Sequence, residues 1–429
     1  MAMGSLMLLN ELADAMKEEC GMTEWSGLGI CPGEILLPGA VHLNSHWPVV
    51  ALDQYTSQPE VWEEAALEIG EAPSTLNLII PEAFLHEADR RGRGVQQAMS
   101  DYLQRNIFAP ISDSFVLVER CTQSGARVGL VLLVDLEAYD YKPEGSSLIR
   151  ATEQTVLERI PPRLALRERS SIELSHVLLI VDDPLDSVLG PLNANRQTLT
   201  KLYDMPLMMN GGHIKGWQVT DAGEQARLTQ AFRALRDKLQ PGNPLFLVGD
   251  GNHSLAAAKA YWEQQRARLA PQEQAHHPAR FALAEMVNLH SPALIFKPIH
   301  RMVFGVSRQA VLDALKPLGP VAHEKAPDIV LVGEEKDMPL ALNNAKNRLI
   351  TEAVQQVLDE AAMPLDFVHG VQALREIAAT QGGTGILMPD FPKDQLFPVV
   401  RKYGRLPRKT FSMGEANEKR FYLEARRIR

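Results

Sequence analysis

Residues 244–263, "PLFLVGDGNHSLAAAKAYWE", constrain the fold more than any other part of the chain. An apolar run ends in a polar turn, and an alanine-rich stretch follows at once. That order predicts a buried strand, a sharp turn and a helix N-terminus. First-turn amides have no intrahelical partners and lie at the positive dipole end, so the turn favours an anion. Gly251 permits positive φ or close backbone approach. Asn252 or Ser254 suits the helix cap, and His253 suits hydrogen bonding to phosphate or proton transfer. Asp250 would repel a bare phosphate, so its presence points to Mg2+, a ribose hydroxyl or an ammonium group nearby. A capped helix beside a buried histidine fits the same residues equally well. The Walker and dinucleotide-binding spacings are both absent.

The flanking sequence mixes both element types. Strands are expected over 27–38, 75–81, 175–184, 213–220, 280–289 and 294–304, and a short one near 47–52 before a helix from Pro59. Two valine- and leucine-rich runs around "QSGA" (123–126) predict a hairpin. Helices are expected over 5–20, over 82–108 with a break near Gly92 and Gly94, and over 146–163, ending at Pro161–Pro162. Another runs over 221–239, with Asp221 as N-cap and Glu224 three residues on. Strand–helix alternation is too irregular for a doubly wound sheet, so the class is α+β, a mixed α/β chain. At 429 residues the chain exceeds one ordinary core. The expected division is a composite α/β domain over 1–305, carrying the turn, and a C-terminal α/β region over 306–429 with a basic tail.

Four other polar blocks invite chemistry. In "SLIRATEQT" (147–155), helical spacing would put Arg150 and Glu153 on one face, as a phosphate clamp and a base or as a plain ion pair. Asp53, Gln54, Tyr55, Thr56 and Ser57 crowd an expected strand end, where sites and helix-capping turns both occur. His300 and Arg301 interrupt an apolar strand, a pattern that fits a core histidine better than a ligand. Arg408, Lys409, Thr410 and Ser412 alternate with apolar or small residues. Within 401–429, ten Lys and Arg stand against three Glu. A solvated basic face paired with acidic neighbours is favoured there over a nucleic-acid contact.

Composition narrows the class further. A net charge of −9 disfavours a global nucleic-acid or acidic-membrane binder. The three cysteines are scattered, with no disulfide framework and no zinc spacing, as in a reduced cytoplasmic setting. The N-terminal stretch carries Glu11 and Asp14 inside its apolar run and reads as an amphipathic helix, not a signal peptide.

Six blocks in this order, "ALDQYTSQPEVW", "IRATEQTVLERIPPR", "HVLLIVDD", "GDGNHSLAAAK", "PIHR" and "LPRKTFSMGEANEKRFYLEAR", resemble the bacterial and archaeal family called domain of unknown function 1015. The resemblance spans nearly the whole chain. The family's Asp-Gly-His-His-Arg block is in turn similar to the phosphate-binding motif of the ParB/sulfiredoxin superfamily, which includes a nucleotide-dependent free-serine kinase. That likeness implies a ParB/sulfiredoxin-like nucleotide-binding core elaborated with long insertions, plus a smaller C-terminal α/β region. It implies ATP or another nucleotide and Mg2+ as cofactors, and phosphoryl transfer to a small hydroxyl-bearing metabolite.

Carried over, Gly251, Asn252, Ser254, Arg150 and Thr155 would meet the nucleotide, and Asp250 would hold the metal. Glu153, Asp250 and His253 would be catalytic, with Asp53, Gln54, Tyr55 and His300 against the substrate. Ser254 stands where many relatives have Arg. The missing charge must then come from Arg150, from His300 and Arg301, or from Arg408 and Lys409. The alternative implied by the same likeness is a non-catalytic nucleotide switch or assembly protein of ParB type. Expected partners are a nucleotide and a small molecule, with no membrane, nucleic acid disfavoured and a homo-oligomer left open.

Overall fold

The computed structural model describes residues 24–56, 58–142, 145–153, 160–174, 177–333, 336–345, 348–407 and 409–429. The expected helix over 5–20 and the candidate residues Ser57, Thr155 and Arg408 lie outside them. The chain forms two compact units, Met1–Leu294 with Ala416–Arg429, and Ile295–Glu415. This division differs from one at residue 305. The strand Phe296–Phe304 pairs wholly within the second unit, while the tail is tied into the first by buried ion pairs.

In the first unit the strands are β1 Ile30–Cys31, β2 Gly33–Pro38, β3 Val49–Val50, β4 Phe108–Thr122, β5 Gly125–Asp135, β6 Tyr139–Asp140, β7 Ile149–Ala151, β8 Ile172–Leu174, β9 Val177–Val181, β10 Thr200–Leu207, β11 Gly212–Val219, β12 Phe246–Asp250 and β13 Phe281–Asn288. The C-terminal segment adds two more, Phe421–Tyr422 and Ala425–Arg427. The main path of one large mixed sheet begins β6-β7-β12-β9-β13-β5-β4-β2, continues through Ala425–Arg427 and ends at β8. Strands β6, β7 and β12 run parallel, and β9 is antiparallel to β12. Phe246, Leu247 and Val248 are all fully buried, as an unbroken apolar run requires in a strand covered on both faces. The helices that matter here are α1 Pro59–Ile69, α2 Ala88–Gln104, α3 Ile160–Arg167, α4 Ala222–Arg236 and α5 Asn252–Arg266. Small side chains Ala256 and Ala257 let α5 pack closely against Ile160 of α3.

Three local expectations fail for identifiable reasons. Residues 146–163 are not one helix. Ile149–Ala151 is a strand hydrogen-bonded on both sides, by β6 and β12, and this tertiary pairing overrides helical spacing. Pro161 and Pro162 lie within α3, near the start of its described part, so they do not close a helix. Thr75–Leu78 is a 3-10 turn, not a strand, because Ser74 Oγ accepts from Leu76 N and caps it. Helix α2 runs straight through Gly92 and Gly94, and the break lies earlier, at Phe84.

The second unit carries a separate, antiparallel sheet in the order Pro320–Ala322, Met338–Leu342, Ile329–Val332, Gly383–Leu387, Phe296–Phe304, Leu365–His369. Helices Ile350–Glu360 and Val371–Gln381 bring Val354, Leu358 and Leu374 to its cores. The described residues hold no helix long and apolar enough to cross a membrane.

Candidate functional site

The carboxyl ends of β7 and β12 lie side by side, since Ala151 and Val248 are partners in parallel register. Open α/β sheets bind ligands at such strand ends. Asp250 closes β12, and Gly251 turns the chain at φ 81° and ψ 23°, the left-handed region that favours glycine. Gly251 is the N-cap of α5 and offers the first turn no side-chain acceptor. Asn252 therefore starts the helix instead of capping it. Its Nδ2 reaches Thr152 Oγ1 at 3.4 Å, and Thr152 Oγ1 donates to Val248 O at 2.6 Å. Its buried Oδ1 has no hydrogen-bond partner among the described residues.

Asp250 faces the C-terminal segment. Its Oδ1 accepts from Gly251 N at 2.9 Å, and its Oδ2 is 3.4 Å from Lys419 Nζ. Burial pushes its carboxyl up from the ordinary value, Lys419 pulls it back, and Asp53 pushes it up again. Asp53 thus belongs to the same electrostatic cluster. It lies just beyond β3, whose partner strand Phe421–Tyr422 carries Tyr422. Tyr422 Oη accepts from Leu52 N at 3.0 Å, and burial, Asp53 and Asp250 hold its phenol strongly protonated. Arg163 of α3 pairs with Glu82 and also feels Asp53. In the Asp53 turn, Gln54 Nε2 donates to Asp53 Oδ1 at 3.0 Å, and Tyr55 sits at φ 52°, a strained backbone for a non-glycine residue.

Arg150 is buried on β7 beside Asp140, which offsets the loss of solvation that lowers its pKa. Glu153 follows two residues after Ala151, at the same sheet end as Asp250, and His253 stands in the first turn of α5. Arg150 and Glu153 do not share a helical face.

His300, Arg301 and Lys409 belong to the second unit. His300 Nδ1 accepts from Met388 N at 3.1 Å, and burial beside Arg301 lowers its pKa. Arg301 is fully buried, donating to Gln355 Oε1 and Lys409 O over the ring of Phe367.

Lys419, Tyr422, Thr152 and Arg163 were not singled out from the sequence. The first two lie in the basic tail, where Arg420 and Arg426 are buried and paired while Arg401, Lys402, Lys409, Arg427 and Arg429 are exposed. Arg420 binds Glu285 and Glu424, and Arg426 binds Glu173. Arg120, stacked over Phe421, donates to Gly211 O, Asn417 O and Lys419 O and so fixes the backbone that carries Lys419. Among the described residues there is no group of three or more His, Cys, Asp or Glu side chains placed to hold a metal.

Three solved structures are similar at a remote level. A conserved hypothetical protein from Pyrococcus furiosus has TM-score 0.35 and 13% identity, covering 66% of this chain and 90% of its own. Free serine kinase in complex with AMP has TM-score 0.36 and 14% identity, covering 68% and 87%. SbnI with a C-terminal truncation, from Staphylococcus aureus, has TM-score 0.38 and 12% identity, covering 66% and 83%. No curated protein matches the chain. The family model described as protein of unknown function (DUF1015) matches residues 38–361, most of the chain, and the protein belongs to that family.

Proposed function

We propose that the β12–α5 turn binds the phosphates of ATP or another nucleotide and that the surrounding cluster transfers a phosphoryl group to a small hydroxyl-bearing metabolite. The observation that carries this reading is the Lys419–Asp250 pair at the start of α5. It sets a largely buried cation and a carboxylate of raised pKa beside a helix end that its N-cap leaves without a side-chain acceptor. Phosphoryl transfer asks for positioning, charge neutralisation and a place for the acceptor proton. The turn Gly251–Ser254 positions the phosphates. Lys419 supplies the charge that Ser254 cannot, and Arg150 adds positive charge under the strand end.

Asp250 and Asp53 fit Mg2+ as it usually binds in such sites, through one or two carboxylates together with substrate phosphates. When bound there, Mg2+ would neutralise charge developing on the phosphate oxygens. Glu153, at the same strand end, takes the acceptor proton, with His253 as the alternative base. Asp53, Gln54 and Tyr55 hold the acceptor or the nucleotide sugar.

Calorimetry with ATP and ADP, followed by a nucleotide-consumption assay against a panel of small alcohols, tests the reading. Binding and turnover in the wild type should fall with Asp250→Asn, and turnover alone with Glu153→Gln. Wild type that binds no nucleotide overturns the whole reading. Binding without turnover on any acceptor overturns the catalytic part.

A further inference from the structure

The first unit carries a half-open, mostly apolar pocket of about 150 Å³. Ile80, Val95, Met99, Leu166, Ala257 and Ile428 are among its apolar wall residues, and Ser254 also lines it. A cavity of this size in an apolar wall holds a molecule about as large as benzene. Three charged groups interrupt the apolar lining, Arg163, Arg167 and Glu173; Arg163 is paired with Glu82, and Glu173 with Arg167 and Arg426. Arg167, the last residue of α3, has a side chain only 10% exposed. Its Nη1 lies 2.5 Å from Glu173 Oε2. Its buried Nε and Nη2 have no hydrogen-bond partner among the described residues. These two donors form the side-on edge of the guanidinium, the edge that matches the paired oxygens of a carboxylate. Charge points the same way. Glu173 also pairs with Arg426 at 3.1 Å, so one carboxylate serves two guanidiniums and a positive charge is left over. A buried, half-satisfied guanidinium is costly and calls for an acceptor.

We infer that this cavity binds a small monocarboxylate with an apolar body about the size of a benzene ring. Its two oxygens accept from Nε–H and Nη2–H of Arg167, and its body fills the space between α2 and α3. A phosphate dianion would be poorly solvated by these walls, whereas a singly charged acid balances the spare charge. The inference does not depend on nucleotide binding at the neighbouring turn.

Calorimetry of the full chain with benzoate and with its neutral isostere benzamide tests it. Benzoate should bind one to one, and benzamide at least about 10-fold more weakly, the worth of a charge-assisted hydrogen bond. Arg167→Met should cost benzoate about 10- to 100-fold in affinity. Gly92→Leu grows a side chain into the cavity from a helical position whose nearest neighbour for an added Cβ is Leu166 Cδ2 at 3.6 Å. It should abolish binding while leaving the circular dichroism melt intact, so the test stands even if the Arg167 variant fails to fold. Absence of benzoate binding at about 10 mM, equal binding of benzamide, or affinity unchanged by Gly92→Leu would overturn the inference.

Discussion

Lys419 Nζ lies 3.4 Å from Asp250 Oδ2, joining the C-terminal segment to the turn that starts α5. The pair is held from both ends. Asp250 is fixed by Gly251 N, and the Lys419 backbone is gripped by Arg120. If this lysine neutralises bound phosphates, Lys419→Met should weaken ATP or ADP binding by about 10- to 100-fold, the range for a hydrogen bond to a charged group. Calorimetry at fixed ionic strength measures it. Unchanged affinity would leave Lys419 as a partner of Asp250 only.

Gly251 at φ 81° gives a second expectation. An L side chain pays about 1–2 kcal/mol in this region, and asparagine pays less than alanine. Melting temperatures should therefore fall in the order wild type, Gly251→Asn, Gly251→Ala. Equal melting of all three would mean that the turn relaxes, and that its geometry is not imposed by β12 and α5.

The strand of this turn was legible because burial on both faces demands an unbroken apolar run, and "PLFLV" is one. The same holds for Val177–Val181. Ile149–Ala151 was not legible, because a three-residue strand carries too little pattern of its own. Its state is decided by hydrogen bonds to Tyr139–Asp140 and to Phe246–Val248. The site divides the same way. Asp250, Gly251 and Asn252 were visible as a local motif, and Asp53 as a polar turn. Lys419 and Tyr422 come to them only through the pairing of Phe421–Tyr422 with Val49–Val50, which no local spacing announces. The tail's positive charge was a signal, but it could not show that Glu285 and Glu173, far away in sequence, would pair with Arg420 and Arg426 in the interior.

Glu285 and Arg420 form an ion pair with both side chains almost fully buried, and Gly129 makes room for it. A Cβ at Gly129 would lie 2.3 Å from Glu285 Oε1. Removing one partner of such a pair strands a buried charge, at about 3–5 kcal/mol. Glu285→Gln should cost about that much in urea unfolding. Gly129→Ala, which displaces the same carboxylate without deleting it, should also destabilise strongly. Arg420 also pairs with buried Glu424 and Glu285 with buried Arg127, so the double variant Glu285→Met with Arg420→Met takes a partner from each of those charges and should cost at least as much as Glu285→Gln.

Acid and neutral pH should separate these carboxylates from Asp250. Burial alone would raise Glu285 and Glu173, but Arg420 and Arg127 hold the first below the ordinary glutamate value, and Arg167 and Arg426 the second. The stability they contribute is present above the unfolded glutamate value, about 4.3, and is lost as pH falls through their lower folded values. Asp250 has the opposite sign. Its folded value is raised by burial and by Asp53, so the folded state favours its proton, and stability is lost as pH rises through that value. Asp250→Asn removes this loss. In urea titrations from pH 4 upward, Asp250→Asn should gain on the wild type as pH rises and then level off once Asp250 is ionised. Glu285→Gln should trail the wild type most at neutral pH and close the gap toward acid. A gap for Asp250→Asn that stayed flat across the range would mean that Lys419 fully offsets the burial of Asp250.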